Sequence, residues 1–216
     1  MNFNKKKKEK KEELEEEPET PITVNMAPPE EPKLRLCGVY GDINEERSAD
    51  VIYNMYALKE LGKRLEACDE TEDGLIEVCE PFRFMVATNG GSATDMFAIY
   101  DAMREVREEC EIHTMGQGKV MSAGVLLLAA GTKKERRIGK HCRVMIHGVV
   151  SGQQGYIQDV ENEFEEAKIT QKMYVKALAA ETDMTEKHIK NLLDRKTNVY
   201  FNAEQAVEMG IADIII

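Results

Sequence analysis

Short apolar runs alternate with segments of helical spacing along most of the chain, and this alternation limits the fold more than any other feature. The run FRFMVA, at residues 82–87, is followed by apolar residues every three or four positions across 93–109. No internal repeat accompanies the alternation. Predicted strands cover 33–40, 82–87, 111–115, 143–147 and 212–216, and predicted helices cover 49–65, 93–109, 123–130, 157–181, 185–193 and 204–209. This order predicts an α/β fold with parallel crossovers.

Composition indicates the size of the fold and the partners to expect. A chain of 216 residues with 42% hydrophobic residues is long enough for one sizeable core. The net charge of -11 disfavours nucleic-acid binding, which needs cations to neutralise phosphates. No run of eighteen apolar residues predicts a membrane span, and residues 1–11 lack the apolar stretch of a secretory signal. We therefore expect no nucleic acid and no membrane as partner.

The cysteines are scattered and odd in number, and none forms a CxxC pair. They are Cys37, Cys68, Cys79, Cys110 and Cys142. Zinc needs clustered ligands, so we expect no metal, and no phosphate-binding loop or other cofactor motif is present. Scattered cysteines predict reduced thiols in a cytoplasmic protein.

Two charged segments stand apart from the alternating pattern. Residues 1–32 hold five of the six prolines together with a lysine block and a glutamate block, which predicts a disordered tail before a domain at 33–216. This tail is either a solvated charged segment or a docking and regulatory one. Residues 66–80 are acidic and predict an insertion or loop.

One serine lies where a predicted strand meets an apolar helix. Ser122 stands in GKVMSAGVLLLAAG, at residues 118–131. A helix N-terminus offers unpaired N–H groups and a partial positive charge, and both stabilise the oxyanion that forms when a serine attacks a carbonyl. These features would suit a nucleophile, but they do not by themselves distinguish one from a structural serine. The alternative is a serine that only caps the helix.

A histidine and a glycine pair occupy comparable strand ends. His147 closes the run RVMIH, where a neutral imidazole could take the proton of a serine hydroxyl. A surface histidine or one satisfied by its neighbours is the alternative. Gly90 and Gly91 allow positive φ and close backbone approach, so the turn TNGG is expected to end the strand. It either directs an N–H group at a carbonyl oxygen or serves as an ordinary turn.

Four blocks in order carry a family resemblance: NGGSATDMFAIYDAM, MGQGKVMSAGVLLLAAG, RVMIHGVVSGQQG and FNAEQAVEMGIAD. Together they resemble the proteolytic subunit of the Clp protease (ClpP), over residues 34–216. The spacing of 25 positions from Ser122 to His147 is similar to that family. The resemblance implies a ClpP/crotonase-like α/β fold of repeated β-β-α units, with a protruding handle formed by a strand and a long helix. Residues 152–155 and the helix after them match that handle.

The resemblance also implies roles for particular residues. Ser122 matches the nucleophile and His147 the general base, while Asn198 stands where the family has the aspartate of its triad. An asparagine can orient the histidine but brings no charge, so we expect slower catalysis or a strong dependence on assembly. Asp194 is the fallback for this role. Gly91 and Ala123 match the two N–H donors of the oxyanion hole, and the residues that flank the substrate peptide are Ser92, Ala93, Val149, Val150 and Ser151.

By resemblance, the chain is an ATP-dependent Clp-type serine endopeptidase of the cytoplasm that hydrolyses unfolded polypeptides. Protomers of such enzymes form heptameric rings, and two rings form a tetradecamer fed by an AAA+ unfoldase. Several departures bear on this expectation. Ala123 replaces the usual methionine, Asn89 replaces a proline, and the charged tail replaces an apolar axial segment. The tail and the acidic insertion make a standard Clp ATPase partner less secure than the fold.

Three alternatives to this function follow from the same residues. Asn198 is compatible with a catalytically weak or inactive structural subunit that co-assembles with an active ClpP homologue. Another hydrolase or acyl-binding protein of the crotonase-like superfamily is a second alternative, and in its signal-peptide-peptidase-like form Lys119 would be the base. The divergent tail is compatible with a dedicated processing peptidase, as in virus assembly.

Overall fold

The computed structural model describes residues 34–68, 74–152, 154–195 and 197–216. The charged tail predicted for 1–32 lies outside these residues. Residues 34–216 form one compact unit. Its elements follow the predicted alternation: β1 (Leu36–Ile43), α1 (Glu45–Gly62), β2 (Lys63–Ala67), β3 (Leu75–Cys79), β4 (Phe82–Gly91), α2 (Ala93–Arg107), β5 (Ile112–Met121), α3 (Ala123–Ala129), β6 (Arg137–Ile138), β7 (Arg143–Ile146), α4 (Ile157–Glu181), α5 (Glu186–Leu193), β8 (Val199–Phe201), α6 (Ala203–Glu208) and β9 (Ile214–Ile215).

Most strands of the main sheet are parallel, which confirms the predicted α/β fold. In the described residues seven strands form this sheet, in the order β1-β4-β5-β6-β9, with β7 beside β5 and β8 beside β7. Helices connect the parallel neighbours β1, β4 and β5, as parallel crossovers require. Only the β7–β8 pair within it is antiparallel. The mostly parallel sheet and its helices agree with the ClpP fold.

The core lies between the sheet and the helices that cross it. Phe84 and Val86 of β4 are fully buried, as are Ile99 and Met103 on the inner face of α2. All seven residues of α3 are buried, which explains the uninterrupted apolar run after Ser122. A helix that is apolar on every side belongs inside a protein. The core therefore holds α3 in place behind the residues that precede it.

Long helix α4 has the predicted bounds, and its buried residues all lie in its C-terminal half. Its C-terminal half packs on the core through Tyr174, Val175 and Leu178. In its N-terminal half Ile157 and Phe164 are exposed, although their spacing predicts a buried face. The described residues between β7 and α4 form no strand, because none of them pairs with another strand. The helix alone thus represents the expected handle.

Two local predictions differ from the structure. The acidic segment 66–80 was expected to be an insertion or loop; the loop alternative was wrong, because β2 and β3 pair antiparallel on either side of residues 69–73, which lie outside the described residues. Ile76 and Val78 alternate with Glu77 along β3, as a strand pattern requires, although the surrounding acidic residues dilute this apolar signal. The turn TNGG was expected to end a strand, but β4 continues to Gly91 through a bulge opposite β5.

The prediction of five reduced cysteines was also wrong. Cys79 at the end of β3 and Cys110 after α2 form a disulfide. Cys37 and Cys142 are free thiols. Spacing in the sequence could not reveal the pair, because the fold brings together two residues that lie 31 positions apart. The cytoplasmic location that rested partly on reduced thiols stays a prediction.

In the described part of the chain no helix is both long and apolar enough to cross a membrane.

A buried arginine ties the C-terminus to the ends of the helices. Arg136 is almost fully buried and donates to the carbonyl oxygens of Glu181 and Gly210, at 2.7 Å each. Its Nε also donates to Asp213 Oδ2 at 2.7 Å, and the Lys134 backbone N–H reaches the same oxygen. Burial alone would raise the pKa of Asp213, but the hydrogen bonds and charge of Arg136 outweigh it and hold this pKa below the ordinary aspartate value.

Replacing Asp213 should therefore give a pH-dependent loss of stability. Asp213→Asn should lower the free energy of unfolding at pH 7 by about 1–3 kcal/mol, because Arg136 stays buried with weaker partners. A lowered pKa in the folded state stabilises the protein above the unfolded value of about 4, and this contribution is lost as pH falls through the folded value. Denaturant unfolding from pH 7 to 3 should show the gap to wild type closing below about pH 4. Asp101→Asn, an exposed change on α2, is the control, and a constant gap would contradict the assignment.

Candidate active site

Two neighbouring cavities lie where strands β4, β5 and β7 give way to loops or helices. The first, of about 320 Å³, is lined by Ser122, Ala123 and Gly91 together with His147. The second, of about 340 Å³, is lined by His147 and Asn198. His147 thus stands between the two cavities. The sheet brings together five residues that the sequence assigned to one site.

Ser122 occupies a strained turn between β5 and α3. Its φ is 54° and its ψ is -119°, and among the described residues Lys134 alone shares a positive φ without being glycine. The Ser122 hydroxyl makes no capping bond to α3, so the interpretation of this serine as a helix cap was wrong. Its backbone N–H donates to Met145 of β7 at 2.7 Å. A strained residue whose hydroxyl is left unused by the helix is typical of a functional turn.

Glycines of β4 make room for this serine. Gly90 has a φ of 102°, and a Cβ placed on it would lie 2.6 Å from the Ser122 Cβ. Gly91 has a φ of 152°, and a Cβ there would collide with the backbone of Ile43 in β1. Thr88 Oγ1 accepts the Gly90 N–H at 2.9 Å and fixes the turn. Both glycines are therefore required by close approach, and Gly91 lines the cavity next to Ser122.

His147 and Asn198 are placed by the ladder between β7 and β8. The last antiparallel pair in that ladder joins Ile146 to Val199. Extending the register by one pair sets His147 opposite Asn198, at the spacing of cross-strand neighbours. The sequence did not predict the three-residue strand β8, so this register was invisible in it.

No hydrogen bond within the described residues joins Ser122 Oγ, His147 and Asn198 to one another. Asn198 instead donates from Nδ2 to Tyr200 Oη at 3.5 Å, the long end of the hydrogen-bond range. Asp194, at the end of α5, lines the same cavity as His147 and Asn198, so both candidates for the third position are near the imidazole. Lys119 lies inside β5 beside Arg143 and lines neither cavity.

Four of the five residues predicted to flank a substrate lie at the first cavity. Ser92, Ala93, Val149 and Val150 line the first cavity. Ser92 also begins α2, where its hydroxyl accepts the Asp95 N–H at 3.3 Å. Ser151 is exposed and lines neither cavity.

Helix α4 closes the first cavity with two residues that the sequence did not assign to the site. Thr170 and Tyr174 line it, and Met96 of α2 lies on the same wall. Tyr174 is buried, its hydroxyl donates to the Ser122 carbonyl at 3.3 Å, and burial raises the pKa of this phenol. Helical spacing predicts that the ring of Tyr174 packs in the core, as it does, but it does not indicate which group the hydroxyl binds.

Comparison with known proteins gives a family to this arrangement. The Clp protease family model matches residues 75–216. The chain is 32% identical over 152 residues to the ATP-dependent Clp protease proteolytic subunit 1 of Prochlorococcus marinus (strain MIT 9312). The aligned region covers 70% of this chain and 72% of that protein. It is 34% identical over 152 residues to subunit 1 of Corynebacterium jeikeium (strain K411), covering 70% of this chain and 74% of that protein.

The chain belongs to the Clp protease family.

The family match begins within β3 and includes every residue that lines the two cavities. Membership therefore rests on the part of the chain that carries the candidate site, and it supports a protease. Helix α1 and strand β1 precede the match but pack within the same compact unit. In the described regions of this Clp protease chain, no group of three or more His, Cys, Asp or Glu side chains could hold a metal ion.

The close approach of Gly90 to Ser122 gives a test of the turn. Gly90→Ala should lower the free energy of unfolding by about 2–4 kcal/mol, from a positive φ and from the contact with the Ser122 Cβ. Gly118→Ala is a matched control, since Gly118 has a φ of 65° with no atom within 4 Å of an added Cβ. It should cost only about 1–2 kcal/mol, for the backbone alone. Equal losses in denaturant unfolding would show that Gly90 does not contact the serine.

Proposed function

We propose that this protein is a ClpP-type serine endopeptidase. The observation that carries the proposal is the strained Ser122 turn, whose hydroxyl caps no helix and which shares a cavity with His147. The names of the relatives, ATP-dependent Clp protease proteolytic subunits, agree with it. A nucleophile and a base at one cavity are the minimum that acyl transfer through a serine requires.

Each residue of the site then has a role in the proposed reaction. His147 takes the proton of the Ser122 hydroxyl as its oxygen attacks the scissile carbonyl. The N–H groups of Gly91 and Ala123 hold the resulting oxyanion. His147 gives the proton to the departing amine, which leaves an acyl ester on Ser122. Water, deprotonated by the same imidazole, then releases the acid. Asn198 orients His147 throughout.

The substrate of the proposed reaction is an extended stretch of unfolded polypeptide. Ala93 and Val149 both line the cavity, where a peptide could add as a strand through main-chain hydrogen bonds.

Exposed Ile157 and Phe164 on α4 support a ring-to-ring contact, since apolar side chains at this spacing favour burial in an assembly. The enzyme would thus act in the cytoplasm as a heptamer or tetradecamer, with polypeptide supplied by an ATP-dependent AAA+ unfoldase.

A catalytically weak subunit that co-assembles with an active homologue is the second candidate. The observation in its favour is the lack of a described hydrogen bond between His147 and Asn198. An amide there also brings no charge to stabilise an imidazolium. A dedicated processing peptidase would use the same residues on one substrate and differ only in what it cleaves.

The decisive experiment labels the assembled protein with a fluorophosphonate and measures cleavage of casein and a short fluorogenic peptide. Wild type should be labelled and active, whereas Ser122→Ala should lose the label and at least about 10³-fold in kcat. Ser92→Ala, at the other serine that lines the cavity, is the control and should keep the label. An assembled wild type without label would favour the weak-subunit candidate.

The third position of the triad has its own test. Asn198→Asp should raise kcat by about 10-fold or more, because a carboxylate stabilises the imidazolium that forms in the transition state. Asp194→Asn should change kcat by less than about 2-fold, because an exposed carboxylate that makes no hydrogen bond to the imidazole contributes little to catalysis. Peptide cleavage from pH 5 to 9 checks both. A large loss in Asp194→Asn with no gain in Asn198→Asp would assign the role to Asp194.

A further inference from the structure

Two side chains of α4 reach the two chain segments that carry the proposed nucleophile and base. Gln171 Oε1 accepts the backbone N–H of Val149 at 3.1 Å, and Tyr174 Oη donates to the Ser122 carbonyl at 3.3 Å. Gln171 and Tyr174 lie three positions apart, so they share one face of the helix. One rigid element thus bonds to both halves of the site.

The histidine segment needs an external support because it has little of its own. β7 ends at Ile146, and His147, Gly148 and Val149 follow outside any helix or strand. A Cβ placed on Gly148 would lie 3.1 Å from Gln171 Oε1, so this segment runs directly against α4. The Gln171 bond to Val149 therefore fixes the chain two residues beyond His147.

The serine segment is held from three sides. The Ser122 N–H donates to Met145, and its carbonyl accepts the Val125 N–H at 3.0 Å within the first turn of α3. The remaining bond comes from Tyr174, whose hydroxyl is buried against the cavity wall. A backbone with positive φ persists only when its surroundings fix it, so the loss of one bond should widen the range of positions of the serine.

We propose that Gln171 and Tyr174 are positioning residues that together set the separation between the Ser122 hydroxyl and the His147 imidazole. Neither acts on the substrate carbonyl. The inference rests on the proposed serine peptidase function and adds to it a part for α4 that goes beyond closing the cavity. Since a serine and its base work only within hydrogen-bond reach, a shift of either segment lowers kcat before it affects substrate binding.

The experiment uses the full-length assembled protein and a short fluorogenic peptide. Tyr174→Phe removes only the hydroxyl, and Gln171→Leu removes the acceptor at similar size. Each should lower kcat by about 5- to 10-fold while KM changes less than about 2-fold. Gln171→Glu keeps an acceptor oxygen and should retain kcat within about 3-fold. Tyr53→Phe on α1 and Gln117→Leu on β5, both at exposed positions, are matched controls and should behave as wild type.

Hydrogen exchange of the same variants gives a readout that does not depend on activity. The peptide containing Val149 should exchange faster in Gln171→Leu than in wild type, and the peptide containing Ser122 and Val125 should do so in Tyr174→Phe. Wild-type kcat in both variants, or a kcat loss matched by loss of the assembly in native mass measurement, would overturn the proposal. A wild type without Ser122-dependent cleavage would instead remove the proposed peptidase, and unchanged exchange would then show that α4 holds neither segment.

Discussion

The site depends on a strained peptide at Ser122 that three neighbouring elements keep in place. A positive φ in a residue with a Cβ is unfavourable, and it survives here because Gly90 leaves space on one side and Met145 binds the N–H on another. The buried helix α3 behind the turn cannot shift without opening the core. The position of Ser122 is therefore a property of the packed fold and not of the local sequence.

Parallel strands that end together explain why the other groups meet at this serine. β4, β5 and β7 are neighbours in the sheet, and their carboxyl ends deliver Gly91, Ser122 and His147 to one edge. Ligands bind at such edges in open α/β sheets because helices and loops diverge there. The antiparallel strand β8 adds Asn198 from the opposite direction, and α4 covers the cavity. Asp194, the carboxylate that shares a cavity with His147, is exposed to solvent.

Helix α4 joins two roles that sequence patterns treat as separate. Its C-terminal half belongs to the core and carries Tyr174, whereas its N-terminal half exposes Ile157 and Phe164. The exposed apolar side chains of the N-terminal half are the observation on which the proposed ring-to-ring contact rests. If a second ring covers the exposed half, the position of Gln171 and Tyr174 becomes sensitive to that contact, which is consistent with the dependence on assembly expected from Asn198.

The sequence by itself determined the alternating α/β order, the bounds of α4, and the candidates Ser122, His147 and Gly91, because periodicity and strand-end glycines are local signals. It also carried the family through four ordered blocks. Only the tertiary structure decided that the serine caps nothing, that Cys79 meets Cys110, and that Asn198 and His147 line the same cavity. These features depend on contacts between residues far apart in the chain: the register of the strands, the pairing of distant cysteines and the partner of the buried Tyr174 hydroxyl. Such contacts leave no periodic pattern in a single sequence.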